Sequence, residues 1–351
     1  MKKILLSLLA LAGYVTASAQ ITDVVSATLI TGDKTQVFYG YSSFATAVDS
    51  AEQTGSTIVL SPGAFSSPGT VQKSVKVYGA GFQPDTLTGL SETRVLGKLT
   101  IKSSDEFTPN DVHLEGIYFT DPMYLAGTPI ISGTEVVKCR FGTFNQGAPS
   151  DNTIIRQCYC TGGVYGESQV GTGFVISNCW LPRVSSFETG SDVLVANCVI
   201  THDDCVYSAA LYRNNLITSN YYGGGYRSGS LGAGSTCYNN VGWQGCIENN
   251  QNNTYANNYY ASTWGSDWAN IFADGQGNLD YTDAAGKPRN WELKEPTVYV
   301  GTDGNPCGPT GGIYPWNPIP TLPRIIETSV DTKAEPGKLK VNIKAEARPM
   351  E

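Results

Sequence analysis

A right-handed parallel β-helix is the fold that this sequence predicts, on three observations: an eight-fold repeat, the parity of its apolar positions and its recurrent asparagines. The repeat is an apolar pair, a small or amide residue, a Cys or Asn, and another apolar residue, as in FVISNCWL at 174–181. Its anchors lie 22, 19, 21, 19, 17, 25 and 18 residues apart: Gly116, Lys138, Gln157, Asn178, Asn197, Asn214, Asn239 and Asn257. A period of about 20 residues is typical of a solenoid, in which each copy forms one coil, or rung.

Each repeat alternates apolar and polar residues as two short strands joined by a bend would require. The position two before the anchor and the position three after it are mostly apolar, and the position one after it is Ile or Cys on the first five rungs and Asn on the last three. Residues two apart share a strand face, so the change of parity at the anchor requires a bend. Asn and Gly, which dominate the anchor, tolerate the left-handed backbone of such a bend. A leucine-rich repeat has a similar period, but its Leu scaffold and helical half-repeat are missing.

Four consecutive rungs place a cysteine directly after the anchor: Cys139, Cys158, Cys179 and Cys198. Because buried Cys behaves as a small apolar residue, this column predicts a ladder of reduced thiols inside the solenoid. Rungs lie about 4.8 Å apart, which also leaves a disulfide between rungs sterically allowed. Two more cysteines fall in other inward columns, Cys160 and Cys237. The sequence leaves open the redox state of the three outside the columns: Cys205, Cys246 and Cys307.

The N-terminus has the pattern of a secretory signal peptide. Lys2 and Lys3 precede an apolar stretch at 4–15, and Ala17-Ser18-Ala19 is a small-residue cleavage site. The stretch is too short to span a bilayer. The sequence therefore predicts cleavage near Ala19 and export to the periplasm, cell surface or exterior. The predicted parts are a signal peptide at 1–19, a β-helix domain with caps at 20–325, and a C-terminal strand or tail at 326–351.

Charge narrows the class of partner. Loss of the two signal-peptide lysines takes the formal net charge from −8 to −10. An acidic surface disfavours nucleic-acid backbones and anionic lipid as partners. No later segment is apolar enough for a membrane span. The charge also disfavours a uniformly polyanionic ligand, unless calcium or a local basic patch intervenes. No cofactor other than calcium is considered, and the oligomeric state is left open.

The residues before the first regular rung predict a cap and opening strands. A helix is expected to begin at Ser42 or Ser43 and run to about Thr54, with one apolar face that plugs the open end of the solenoid: Phe44, Ala47, Val48 and Ala51. The segments TIVLSPG at 57–63, SVKVYGAG at 74–81 and KLTI at 98–101 are expected strands. Residues 20–40 show no strong pattern.

Both ends of the repeat region carry a resemblance to a known superfamily. The segments SFATAVDSAEQTGSTIVLSPGAF and SVKVYGAG resemble the N-terminal entry of pectate-lyase-like right-handed β-helix proteins. The tail VGTDGNPCGPTGGIYPW at 300–316, with PTLPRI at 320–325, resembles the close of exported β-helix proteins from Bacteroidetes-type bacteria. The resemblance implies a site on the outer face of the first sheet or in a groove beside it. The catalytic signatures of polygalacturonases and pectate lyases are absent.

Charged residues at comparable points of successive rungs form the first candidate site. We expect five of them to line one exposed strip: Glu167, Glu188, Tyr207, Arg227 and Glu248. Two carboxylates on adjacent rungs could lie at the roughly 5–9 Å that acid and base cleavage of a glycosidic bond requires. Glu167, Glu188, Arg227 and Glu248 are the catalytic candidates here, with Tyr207 as a substrate contact. A merely solvated polar face is the alternative.

A second group follows the sheet after the bend, where Arg183 and His202 share a position on neighbouring rungs. Asp203 and Asp204 lie beside that His, which could act as a general base or bind a cation. Loop carboxylates that cap turns are the alternative.

The position two after the anchor predicts an outward-facing aromatic track that includes Tyr159 and Trp180. Exposed rings on a rigid face suit sugar stacking or a protein partner. The alternative is that the long segments between the repeats fold over this face.

These features predict an exported protein whose long face binds an extended polysaccharide or surface glycan. Whether it also cleaves the polymer, as a polysaccharide lyase or glycoside hydrolase would, is left open. A non-catalytic adhesin or structural surface protein is the alternative, because fold does not determine activity.

Overall fold

The structure is a computed structural model that describes residues 24–85, 89–167, 171–187, 191–201, 209–217, 234–242, 247, 253–260, 268–283, 285–330 and 341–346. Within this part of the chain the fold is a parallel β-solenoid, as the sequence predicts.

One sheet contains the strand that precedes the bend of each rung, and we call it the pre-bend sheet. Its strands pair in parallel from the third onwards. In spatial order they are Lys34–Tyr39, Ser26–Thr31, Thr54–Leu60, Ser74–Tyr78, His113–Glu115, Glu135–Val137, Ile154–Arg156, Phe174–Ser177, Val193–Ala196, Leu211–Arg213, Thr236–Tyr238 and Thr254–Ala256.

The second large sheet, the post-bend sheet, contains the strands that follow each bend. Its main path is Gly63–Ser66, Thr93–Leu96, Tyr118–Phe119, Arg140–Gln146, Tyr159–Tyr165, Trp180–Leu181, Val199–Ile200, Leu216–Ile217, Val241–Gly242 and Tyr259–Tyr260. A further parallel tier belongs to the same sheet and joins the long strands Arg140–Gln146 and Tyr159–Tyr165 through its last two members. Its strands are Thr70–Val71, Leu99–Lys102, Met123–Ala126 and Val184–Ser185. A small parallel sheet closes the third side of these rungs with Ile131–Ser132, Ser150–Asp151 and Gly171–Thr172.

The predicted bend is present at all eight anchors. The backbone φ is positive at each of them, from 49° at Lys138 to 70° at Gly116. Asn supplies this conformation on the last five anchors, where its short amide makes a left-handed residue tolerable. Gly116 has a further reason to lack a side chain, because a Cβ there would lie 2.6 Å from Pro320.

The column after the bend forms an interior ladder, as predicted, and all four of its cysteines are buried free thiols. The backbone N–H of Cys139 donates to the Cys158 thiol at 3.5 Å, which lies one rung further on. Three later rungs carry asparagine in the same column: Asn215, Asn240 and Asn258. There the N–H of Cys198 donates to the Asn215 side chain at 2.9 Å. Thiol and amide therefore perform the same task, which is to accept the N–H of the preceding rung.

The N-terminal end differs in part from expectation. A helix, α1, forms at Ser43–Ser50 and buries Phe44, Ala47 and Val48, but the side chain of Ser42 makes no capping hydrogen bond. Its function as the plug of the solenoid stays a prediction. Residues 26–39, which showed no strong pattern in the sequence, form an antiparallel hairpin that supplies the edge of the pre-bend sheet.

The segment after the last rung covers the solenoid instead of continuing it. It contains the short helix α2 at Trp268–Ile271 and then turns, and it places an aromatic and aliphatic layer against the outer face of the post-bend sheet. From residue 300 to residue 321 the chain runs back along the line of bends, and we call these residues the strap. Beyond it, Arg324–Val330 pairs antiparallel with Val341–Glu346.

Candidate functional site

The outer face of the pre-bend sheet carries a straight row of polar side chains on its first rungs. The register pairs Thr57 with Lys76, Lys76 with His113, and His113 with Glu135. Since neighbouring parallel strands lie about 4.8 Å apart, the row spans about 14 Å along the solenoid axis. We call these four residues the polar row. On later rungs the same position is occupied by aliphatic residues: Ile154, Val175, Leu194 and Leu211.

His113 lies between two carboxylates at the centre of this row. Its Nδ1 lies 2.8 Å from Glu135 Oε2, and its Nε2 lies 3.2 Å from Glu115 Oε2. The Tyr78 ring packs beside the imidazole, with 5.1 Å between ring centroids. Because both ring nitrogens face a carboxylate acceptor, the arrangement favours the protonated imidazole, which can donate on both sides.

The electrostatics of the cluster favour its charged form. Burial lowers the pKa of His113, but the hydrogen bonds and charges of Glu115 and Glu135 outweigh it, so the pKa lies above the ordinary 6.5. Burial raises the pKa of Glu115, but hydrogen bonds from His113 and Thr321 bring it below 4.5. The hydrogen bond from His113 lowers the pKa of Glu135, although partial burial opposes it.

The two carboxylates differ in their availability to a ligand. The Glu115 side chain is 2% exposed, whereas that of Glu135 is 39% exposed. Glu115 also accepts the backbone N–H of Thr321 at 2.6 Å and the hydroxyl of the same residue at 2.9 Å. Glu115 therefore orients His113 and holds the strap, while Glu135 faces solvent.

A groove of about 440 Å³ adjoins the N-terminal end of the polar row. Hydroxyl and amide groups dominate its lining, which also includes one aromatic ring and one residue of each charge: Thr54, Gly55, Ser56, Thr57, Ser74, Lys76, Phe107, Thr108, Asn110 and Asp111. Thr57 and Lys76 belong to both the groove and the polar row. A surface with converging polar groups and one ring is suited to a sugar.

Seven of the predicted site residues lie outside the described part of the chain, four from the first group and three from the second. These are Glu188, Tyr207, Arg227 and Glu248, and His202, Asp203 and Asp204. Glu167 is exposed and follows the strand Tyr159–Tyr165, with a positive φ of 45°. Arg183 is half-buried between two strands, and its backbone carbonyl accepts the N–H of Val164 at 3.0 Å. The structure shows no ion pair between these two residues, and their catalytic roles stay predictions.

The aromatic track does not have the open face that the sequence predicted. Tyr159 stacks on Tyr281 with 3.8 Å between centroids, and the Trp180 indole N–H donates to the Leu279 carbonyl at 2.6 Å. Further along the column Val199, Leu216 and Val241 are fully buried in the same layer. The alternative of a covered face therefore holds for this stretch, but the cover is residues 268–316 rather than segments between repeats. Substrate binding by Tyr159 and Trp180 stays a prediction.

The cluster around His113 was not predicted, because the outward positions before the anchor change in residue type from rung to rung and leave no repeated signal. The available signal is confined to two rungs, since His113 and Glu135 occupy the position three before the anchor and Glu115 the position one before it. Lys76 lies on a rung before the regular repeat, so no periodic pattern marks its position.

Comparison with protein-family models, with curated proteins and with solved structures finds no match to this chain. In the part that the structure describes, no three or more His, Cys, Asp or Glu side chains are grouped so that they could hold a metal ion. None of the described helices is long and apolar enough to cross a membrane.

Proposed function

We propose that this protein binds an extended polysaccharide along the outer face of the pre-bend sheet. The observation that carries the proposal is the continuity of the groove with the polar row through Thr57 and Lys76. A linear polymer placed in the groove would continue past His113 to Glu135. The predicted signal peptide supports an exported protein, whose ligand would be a glycan outside the cell.

The chemistry of the row fits the oxygen atoms of a sugar chain. Lys76 and the imidazolium of His113 donate hydrogen bonds, the half-exposed Glu135 accepts them, and Phe107 offers a ring edge or face beside the hydroxyl groups of the groove. A solenoid holds such groups at fixed spacing, so little conformational entropy is lost when the polymer binds.

Cleavage of the bound glycan is a second candidate function, and the pairing of His113 with Glu135 favours it. A cationic imidazole beside an accessible carboxylate could supply an acid and a base, as a lyase or hydrolase requires. If no cleavage occurs, the same face would act as the binding surface of an adhesin or structural surface protein.

The test is a binding and product assay of the mature chain against plant, host and microbial glycans, with calcium and with a chelator. We expect Lys76→Met and Phe107→Ala to weaken binding by about 5- to 30-fold, equivalent to 1–2 kcal/mol of lost contacts. Lys34→Met, which removes the same charge from an exposed edge strand, is the matched control. Equal affinity of all these variants would remove the groove from consideration.

Reducing ends and unsaturated products distinguish hydrolysis from elimination in the same assay. If the protein is an enzyme at this site, Glu135→Gln should lower the rate by at least ~100-fold, the usual loss when an acid or base is removed. Binding without any product across the panel would support the non-catalytic alternative.

A further inference from the structure

A stack of arginine and tyrosine side chains runs along the outer face of the post-bend sheet and ends at Tyr159, where the cover by the C-terminal segment begins. The register aligns Arg94, Tyr118, Arg140 and Tyr159 on consecutive rungs. The Arg140 guanidinium carbon lies 4.3 Å from the centroid of the Tyr118 ring and 5.1 Å from that of Tyr159. On the preceding rung, the Arg94 guanidinium carbon lies 5.3 Å from the centroid of the same Tyr118 ring.

The rings of this stack are not free to bind a sugar by their faces. Tyr118 lies between Arg94 and Arg140, and Tyr159 lies between Arg140 and the stacked ring of Tyr281. The stack therefore presents edges to solvent, and those edges carry guanidinium N–H groups and phenol hydroxyls. This surface donates hydrogen bonds instead of offering an apolar platform.

Arg140 has no acidic partner among the described residues, although it lies on the same face as the paired Arg94. Arg94 pairs with Glu92, and the buried Arg289 forms two hydrogen bonds with Asp274, at 2.7 and 2.9 Å. The structure records no hydrogen bond or ion pair for the guanidinium of Arg140, only the two ring contacts. Asp280 is close enough to raise the pKa of Tyr159, but its carboxylate accepts from Asn278 at 2.7 Å and forms no ion pair with Arg140.

We propose that Arg140 is the centre of an oxyanion-binding site for a carboxylate or sulfate group carried by a glycan. Rings on both sides restrict the motion of the guanidinium, so its planar fork of N–H groups is preorganised for bidentate contact with two oxygens. Among the described residues this half-buried guanidinium has no counter-ion. On a chain of net charge −8, an anionic group should therefore bind more favourably there than on the surrounding surface. This site lies on a different face from the groove. The inference rests on the proposed function only because it takes a glycan as the carrier of the anionic group.

The experiment compares the same sugar chain with and without its charge. A hyaluronan oligosaccharide supplies the carboxylate, its methyl ester supplies the neutral form, and a sulfated, uronate-free carrageenan oligosaccharide supplies the sulfate. We expect at least one charged ligand to bind the native protein about tenfold or more tightly than the ester, since hydrogen bonds to charged groups are the stronger ones. Arg140→Met should remove that preference, Arg140→Lys should restore part of it, and Lys34→Met should leave it unchanged.

The outcomes separate this inference from the function proposed for the groove. A preference for the charged ligand that persists in Arg140→Met, or a native protein that binds no charged ligand better than the ester, would overturn the oxyanion site. Loss of binding in Phe107→Ala reports on the groove and not on Arg140. Thermal unfolding of each variant shows whether the fold is retained, and Arg140→Lys keeps the charge if the Met variant unfolds. Whichever of the two charged ligands shows the Arg140-dependent preference identifies the group.

Discussion

Thr321 donates both its backbone N–H and its hydroxyl to Glu115, a residue 206 positions earlier in the chain. This contact is the last of a series along the line of bends. The amide of Asn239 donates to the Val300 carbonyl at 2.9 Å, and that of Asn178 donates to the Gly311 carbonyl at 2.8 Å. The anchor side chains therefore have two tasks, because they allow the bend and they also hold the strap.

The Glu115 contact should contribute measurably to stability. Glu115→Gln keeps the volume but removes the charge that accepts hydrogen bonds from Thr321 and His113, so we expect a loss of about 1–3 kcal/mol. Thr321→Val removes the hydroxyl alone and should cost less. Urea unfolding measures both values, and a double-mutant cycle should show coupling between the two sites. Additive effects would show that the strap is held elsewhere.

The His113 cluster should make stability depend on pH in two opposite senses. The pKa of His113 is raised, so its contribution is complete below about 6.5 and is lost as the pH rises through the folded-state pKa. The pKa values of Glu115 and Glu135 are lowered, so their contributions are complete above about 4.5 and are lost as the pH falls through the folded-state pKa values. Stability due to the cluster should therefore be greatest between these values, and His113→Gln should flatten that maximum in a pH series of urea unfolding.

The cysteine ladder should resist thiol reagents in the folded protein. Burial raises the pKa of Cys139 to about 12, and the thiolate is the reactive species. Labelling of Cys139, Cys158, Cys179 and Cys198 should require denaturant, as peptide mass spectrometry would show. Cys179→Ala should cost about 1 kcal/mol, whereas Cys179→Asp should cost several kcal/mol by burying an unpaired polar group. Ready labelling in native conditions would contradict the inward register.

The asparagine end of the same ladder should tolerate cysteine better than leucine. Asn215 accepts the N–H of Cys198 at 2.9 Å and donates to the Val195 carbonyl at 2.9 Å. Asn215→Leu would leave both backbone groups buried and unpaired, at about 1–3 kcal/mol each. Asn215→Cys should lose less, because a thiol accepts the equivalent N–H on earlier rungs. A thermal melt of both variants tests the order, and equal losses would contradict it.

Replacement by glycine should reduce the stability of the protein more at the anchor Asn214 than at the anchor Asn257. The Asn214 side-chain amide donates to the Thr302 hydroxyl at 3.3 Å and accepts the Thr302 backbone N–H at 2.8 Å. Asn257, in contrast, is exposed. Glycine retains the left-handed backbone at both positions. Asn257→Gly should change stability by less than about 0.5 kcal/mol, and Asn214→Gly should cost about 1–3 kcal/mol. Similar losses in chemical denaturation would indicate that backbone conformation alone matters.

The regular rungs could be predicted because their determinants are local and repeated. A column such as Val136, Ile155 and Ile176 reports the same buried environment on each rung, and the positive φ of Asn178 or Asn197 follows from residue type. The N-terminal hairpin at 26–39 was not predicted, since a single antiparallel pair at a sheet edge leaves no periodic signal. The candidate site was missed for a similar reason, because outward positions vary from rung to rung.

The sequence by itself therefore determined the solenoid, its bends and its interior ladder of thiols, all of which depend on residues at fixed short separations. Only the tertiary structure decided which outer faces are open. The cover over Val199 and Leu216 comes from residues tens of positions away in the chain, and the hydrogen bond between Glu115 and Thr321 joins residues more distant still. Such contacts depend on where the returning chain is placed, and a local pattern does not encode that placement.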